Sequence, residues 1–224
     1  MNYDWDFSVF VHYIPAFKRA IWITIKLSVY SSFWGTIIGV FLGVIYRVKP
    51  LNYILLPIND ILRAIPVLVL MFFFYYFPYV EIFNLDKAPS SFFCATLALT
   101  LAQAVFTADV VRAAIDGVSN NTILGAQALG LKQRNIWHHI ILPDVFRQIL
   151  PTMIAFYIGN VRLSSLASVI GTEDSVYVAK IAITQNFRSL EAWIIVALIY
   201  IALVLPLSSF SRFLEKSKWL KRRS

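Results

Sequence analysis

The chain has 224 residues, 59% of them hydrophobic and only 14% charged, with a formal net charge of +8. Soluble domains carry nearer a quarter of charged residues, so this balance excludes an ordinary soluble domain and points to a membrane bundle. The mean hydropathy of +0.70 agrees, and the lone Cys94 excludes an internal disulfide.

Residues 1–16 read as an external or interfacial lead. They carry Asp4 and Asp6 and no basic n-region, so a cleavable signal peptide is not expected. Between Lys26 and Arg47 lie twenty uncharged residues, long enough to cross a hydrocarbon core. The first membrane helix is therefore placed at about 17–46, with Lys18, Arg19 and Lys26 snorkelling. Gly35, Gly39 and Gly43 share one face of it. They read either as a close helix contact or as a chance spacing in a glycine-tolerant segment.

A second span, about 51–80, contains Pro57 and Pro66, and a kink or break is expected between Asp60 and Pro66. Asp60 and Arg63 are spaced to pair on one helix face. A third span covers about 89–115, a fourth about 146–170 and a fifth about 191–212. The domain between residues 17 and 215 is thus an all-α bundle of about five transmembrane helices, followed by a basic tail at 216–224.

The distribution of Lys and Arg gives the orientation. One side holds Arg47, Lys49, Lys132, Arg134, Arg147 and the tail cations Arg212, Lys216, Lys218, Lys221, Arg222 and Arg223, eleven in all. The other holds five: Lys18, Arg19, Lys87, Lys180 and Arg188. The amino terminus is therefore expected outside and the carboxyl terminus in the cytosol. A basic tail beside an apolar run marks a cytosolic membrane flank rather than a nucleic-acid arm.

The chain has no P-loop, no Cys/His spacing for a metal, and no His and Asp partners for Ser164 or Ser165. Polar groups at membrane depth are Arg63, Gln103, Asn160 and Arg162. Such groups face a cavity, or else snorkel or bond a neighbouring helix. The two arginines fit either reading, and Gln103 reads as bonding a neighbouring helix.

The polar island at 116–145 separates the third and fourth spans. Ser119, Asn120 and Asn121 suit a helix cap, with the cap placed on Asn121, and Gly130 suits a φ > 0 helix end. Gly125, Ala126 and Ala128 leave a narrow face. A second short helix is expected from Gln133, carrying Ile136 and Ile140 and ending at Pro143. The island reads equally as a docking element or as an ordinary connector.

On these residues the island resembles the cytosolic signature loop of bacterial ATP-binding-cassette importer permeases, E-A-A, three residues, G, nine residues, I-x-L-P. Gly130, Ile140, Leu142 and Pro143 match its spacing. ILRAIPVLVLMFFFYY, TADVVRAAIDGV and VRLSSLASVIGTEDSV resemble further blocks of the polar amino-acid branch, the histidine and glutamine permeases. The signature's glutamate aligns with Leu124 and its first alanine with Gly125; other polar positions are Ile65, Leu70 and Leu163 here.

The resemblance implies a type I importer permease bundle in the bacterial cytoplasmic (inner) membrane. Its coupling helix would dock a cytosolic ATPase dimer through Leu124, Gly125, Ala126, Ala128, Gly130, Ile140, Leu142 and Pro143. It further implies a second permease subunit, a substrate-binding protein and an amino-acid substrate. Arg63 and Arg162 would meet the substrate carboxylate, near Asn160, Ser164 and Ser165. The chain itself would bind no cofactor; ATP would be used by the partner. The apolar replacements point to pairing with a second, different permease. They also motivate a rival reading, a membrane scaffold with no path of its own.

Overall fold

The computed structural model describes residues 3–216. A 3₁₀ turn at Ser8–Tyr13 leads into α1, Ile14–Ile45, whose Pro15 sits in the first turn where no N–H partner is needed. The glycine stripe of α1 is a helix contact. Gly35, Gly39 and Gly43 are buried, and a β-carbon on any of them would stand 2.5–2.7 Å from side-chain or backbone atoms of the third span. Small residues let two membrane helices approach until van der Waals contact replaces lipid contact.

The second span is broken. α2 (Asn52–Ala64) and α3 (Val67–Tyr76) meet at 97°. Ile65 is extended, at φ −80° and ψ 122°, as the residue before a proline must be, and Pro66 caps α3. Pro57, by contrast, lies inside α2 without breaking it. A short α4, Tyr79–Phe83, follows.

α5, Ser91–Asp116, is the central post. Ser90 Oγ accepts from Phe93 N at 3.3 Å, and the helix packs on α1 and α3 through Cys94, Ala95, Ala98, Leu99 and Ala108. The island folds as α6 (Asn120–Ala128) and α7 (Gln133–Ile136). Here the structure corrects two expectations. The cap position of α6 is Ser119, without a side-chain bond, and Asn121 lies within the helix.

Nor does Pro143 end a helix. A π-helical turn at Trp137–Ile141 carries the chain straight into α8, Leu142–Leu163, and Pro143 occupies its first turn. The wider π turn makes room for a ring that would otherwise strike the carbonyl four residues back. The fourth span is therefore a continuous run, Gln133–Ile170, finished by a 3₁₀ segment at Ser164–Ile170.

α9, Ser175–Asn186, begins on Asp174, whose Oδ1 accepts from Tyr177 N at 2.9 Å. α10, Ser189–Lys216, is the last span. Of the tail cations, Lys218, Lys221, Arg222 and Arg223 lie outside the described residues.

Among the described residues, four helical runs are long and apolar enough to cross a membrane, or five with the bent pair as one span. Two contacts decide for five. Tyr3 and Asp6, ahead of α1, bond the carboxylate of Glu191 at the start of α10. Arg47 after α1 meets Asp116 at the end of α5 at 3.1 Å. Each contact joins chain points that must lie on one face, so an even number of crossings separates them. That holds only if α2 and α3 together cross once.

Candidate functional site

At the middle of the bundle, α1, α5 and α8 are joined by polar bonds. Asn160 of α8 is 3% exposed and donates from Nδ2 to Ser31 Oγ (2.9 Å) and Ser32 Oγ (3.0 Å) on α1. Gln103 of α5 is 6% exposed and donates to Thr107 Oγ1 at 3.3 Å. Both amides line a cavity of about 180 Å³ whose other walls include Val67, Phe106, Phe156 and Leu163. Gln103, set aside on sequence as a helix-to-helix bond, thus belongs to this cavity. Its signal was available: a glutamine at mid-span in an alanine-rich helix must find a polar use.

Arg63 does not pair with Asp60. Its guanidinium is bonded by Asp109 of α5 and stands 5.6 Å from the ring centre of Phe106, a wall of the cavity. Asp109 also accepts from Asn59 Nδ2 (3.2 Å), and Asn59 in turn accepts from the Tyr46 hydroxyl (2.8 Å). This chain fixes the α2 side of the break against α5. Arg63 nonetheless remains 45% exposed along its side chain.

The remaining residues of the expected path lie elsewhere. Arg162 and Ser165 line a different cavity, about 430 Å³, against Tyr200 and Val204 of α10. Ser164 is buried and donates to Val161 O at 2.8 Å, and Ser165 donates to Arg162 O at 2.8 Å. The structure therefore brings Asn160 beside Gln103, sets Arg63 behind Phe106, and separates both from Arg162.

The island forms a second site. Ala126 faces inward, packed in a cluster with Val118, Ile136, Ile141 and Val145. It fastens α6 to the base of the bundle and is no part of an outer face. The outer face carries Leu124 at 60%, Leu129 at 84% and Leu131 at 41% exposure, with Gly125 and Ala128 also exposed. Gly130 has φ +78°, ends the α6 turn and returns its N–H to Gln127 O at 2.9 Å. Ile140 is partly buried against the cluster, and Leu142 and Pro143 are exposed. A short helix is thus clamped on its inner side and leaves bare leucines outward, an arrangement suited to a groove on another protein.

A family profile described as "Binding-protein-dependent transport system inner membrane component" matches residues 35–219. The arginine transport system permease protein ArtQ of Bacillus subtilis (strain 168) is 30% identical over 94% of this chain and 96% of its own. The glutamine transport system permease protein GlnP of Escherichia coli (strain K12) is 28% identical over 96% of this chain and 98% of its own. Among solved structures, an amino acid ABC transporter crystallised with histidines superposes with a TM-score of 0.84 at 25% identity, covering 96% of this chain and 99% of that one.

Proposed function

This chain belongs to the family of binding-protein-dependent transport system inner membrane components, and from that premise we propose that the molecule it moves is an amino acid. It is a multi-pass inner-membrane permease subunit of an ATP-driven importer, a transport subunit rather than an enzyme. Relatives whose names specify arginine and glutamine support the substrate class.

The observation that carries the mechanism is the clamped helix α6. Ala126 ties it to α5 and α8 through Val111, Ile136 and Val145, while Leu124 and Leu129 stay bare. A cytosolic ATPase dimer grips the bare face. When it closes on ATP, the displacement passes through the clamp into α5 and α8, the two helices that wall the central cavity. ATP is bound by that partner, and this chain carries no cofactor of its own. A substrate-binding protein delivers the amino acid on the opposite face, and a second permease subunit completes the path.

On this reading the island and the carboxyl terminus are cytosolic and the amino terminus is outside. Arg63 meets the substrate carboxylate behind Phe106, with Asn160 in the central cavity. Arg162, Ser164 and Ser165 serve the outer half of the path.

The test is reconstitution with its cognate ATPase, binding protein and second permease, followed by uptake of labelled amino acids. ATP-dependent accumulation of at least one supports the reading. An assembled complex that accumulates none overturns it. A reporter fused after Ser224 that is active only outside the cytosol would overturn the orientation.

A further inference from the structure

Two buried amides line the central cavity, and each one turns its NH₂ group to a hydroxyl of the bundle. Ser31 Oγ donates to Leu27 O at 2.7 Å, so towards Asn160 its oxygen is the acceptor. That directs Asn160 Nδ2 at α1, where it reaches Ser32 as well. Gln103 Nε2 donates to Thr107 Oγ1 at 3.3 Å, and the Thr107 hydroxyl faces Met153 Sδ at 3.8 Å. Both NH₂ groups are therefore engaged by the bundle. The oxygens, Asn160 Oδ1 and Gln103 Oε1, have no protein donor among the described residues. Two amide acceptors on side chains more than nine-tenths buried, beside an open volume, mark a place where a donor belongs.

The other walls sharpen its nature. Val67, Phe106, Phe156 and Leu163 are apolar, and among the described residues no ionisable side chain lines the cavity. The neighbouring Arg63 is already neutralised by Asp109. The ammonium and carboxylate of a zwitterion offset each other, whereas a further charge on its side chain would lose its water and find no counter-charge on the walls.

We infer that Gln103 Oε1 and Asn160 Oδ1 hold the ammonium group of the carried amino acid, and that its side chain is uncharged and largely apolar. This rests on the transport reading above. An ammonium offers three N–H donors and accepts nothing, which matches a wall presenting only oxygens. Its carboxylate lies towards Arg63, whose guanidinium has N–H groups beyond the one bound by Asp109. The side chain lies against Phe106 and Phe156. Guanidinium, second ammonium and side-chain carboxylate groups are selected against by the missing counter-charge.

The experiment is competition for uptake by the complete transporter in proteoliposomes, using amino acids grouped by side-chain charge together with N-acetyl and desamino analogues. Leucine, methionine and phenylalanine should compete about tenfold better than arginine, lysine and glutamate, and N-acetylation should abolish competition. Gln103→Met keeps the length of the side chain and removes the acceptor. It should raise the half-saturation concentration for the intact amino acid about tenfold and leave desamino analogues unaffected. Gln103→Glu keeps an oxygen acceptor at this position and should retain uptake of neutral amino acids.

Preferential uptake of a charged amino acid overturns the inference and leaves the transport reading standing. So does a Gln103→Met transporter with unchanged half-saturation. Failure of the assembled complex to move any amino acid overturns both. If Gln103→Met does not assemble, the competition series on the unaltered transporter decides alone.

Discussion

Gly35 and Gln103 share one space: a β-carbon on Gly35 would stand 2.5 Å from Gln103 Cγ and 3.0 Å from the Thr100 carbonyl oxygen. The absent side chain of one helix is thus what seats the amide of the other. Gly35→Ala should displace Gln103 and impair uptake.

Gly39→Ala meets a harder obstacle, the Ala104 carbonyl oxygen at 2.6 Å and Thr107 Cβ at 2.5 Å. Backbone cannot step aside, so it should cost about 1–3 kcal/mol of stability. Gly159→Ala, with nothing within 4 Å, should be neutral or gain up to about 1 kcal/mol. Thermal unfolding of the purified protein in detergent compares the two, and equal melting temperatures would refute the stripe as a packing device.

Arg63 and Asp109 should behave as a unit. Asp109→Asn and Arg63→Gln should each destabilise, and the double variant should cost less than their sum. The coupling should be about 1 kcal/mol or less, because Arg63 is nearly half exposed. Additive losses in a double-mutant cycle would show that the pair holds nothing together.

The island separates docking from folding. Leu129→Asp alters a side chain that is 84% exposed and should leave membrane insertion intact while releasing the ATPase during co-purification. Gly130→Ala forces a β-carbon on to φ +78° and should cost roughly 1–2 kcal/mol. Ala126→Trp overfills the buried cluster beneath α6 and should lower stability as well as coupling. A Leu129→Asp protein that keeps its ATPase and its transport-coupled hydrolysis would remove the leucines from the docking face.

Asp174 should make stability fall as pH rises. Burial is the main cause that lifts its carboxyl from 3.8 to about 7, against the lowering pull of the Tyr177 N–H and the Lys180 charge. Because the folded value lies above the unfolded one, its contribution is complete below pH 3.8 and is lost as pH climbs through about 7. Asp174→Asn keeps an oxygen for Tyr177 N and cannot ionise. Its melting temperature should change less across that window, and an unchanged slope would contradict the assignment.

What sequence made legible follows from length and local chemistry. Twenty apolar residues announce a span, a proline after Ile65 announces a break, and a glycine at position 130 announces a left-handed turn. The hidden parts depend on partners far along the chain. Asp109 outcompetes Asp60 for Arg63 across 46 positions, which helix spacing cannot register. Pro143 reads as a stop, because nothing local reveals the π turn that accommodates it. Ala126 reads as part of an outer small-residue face and lies inward, because the side of α6 that meets the bundle is set by α8. The cavity was half legible: Asn160 stood out at mid-span, but its companionship with Gln103 needs the packing of α5 against α8.

The Glu191 carboxylate, fully buried, is held by the Tyr3 hydroxyl at 2.6 Å, the Asp6 N–H at 3.2 Å and Arg188 at 3.6 Å. Tyr3 and Asp6 leave the ribosome well ahead of their partner, which is made nearly two hundred residues later. During biogenesis the leading segment must wait, unfastened, until the final span has been threaded into the bilayer. Closure of that latch is therefore a late event in membrane insertion and reports that every crossing before it has been made in register.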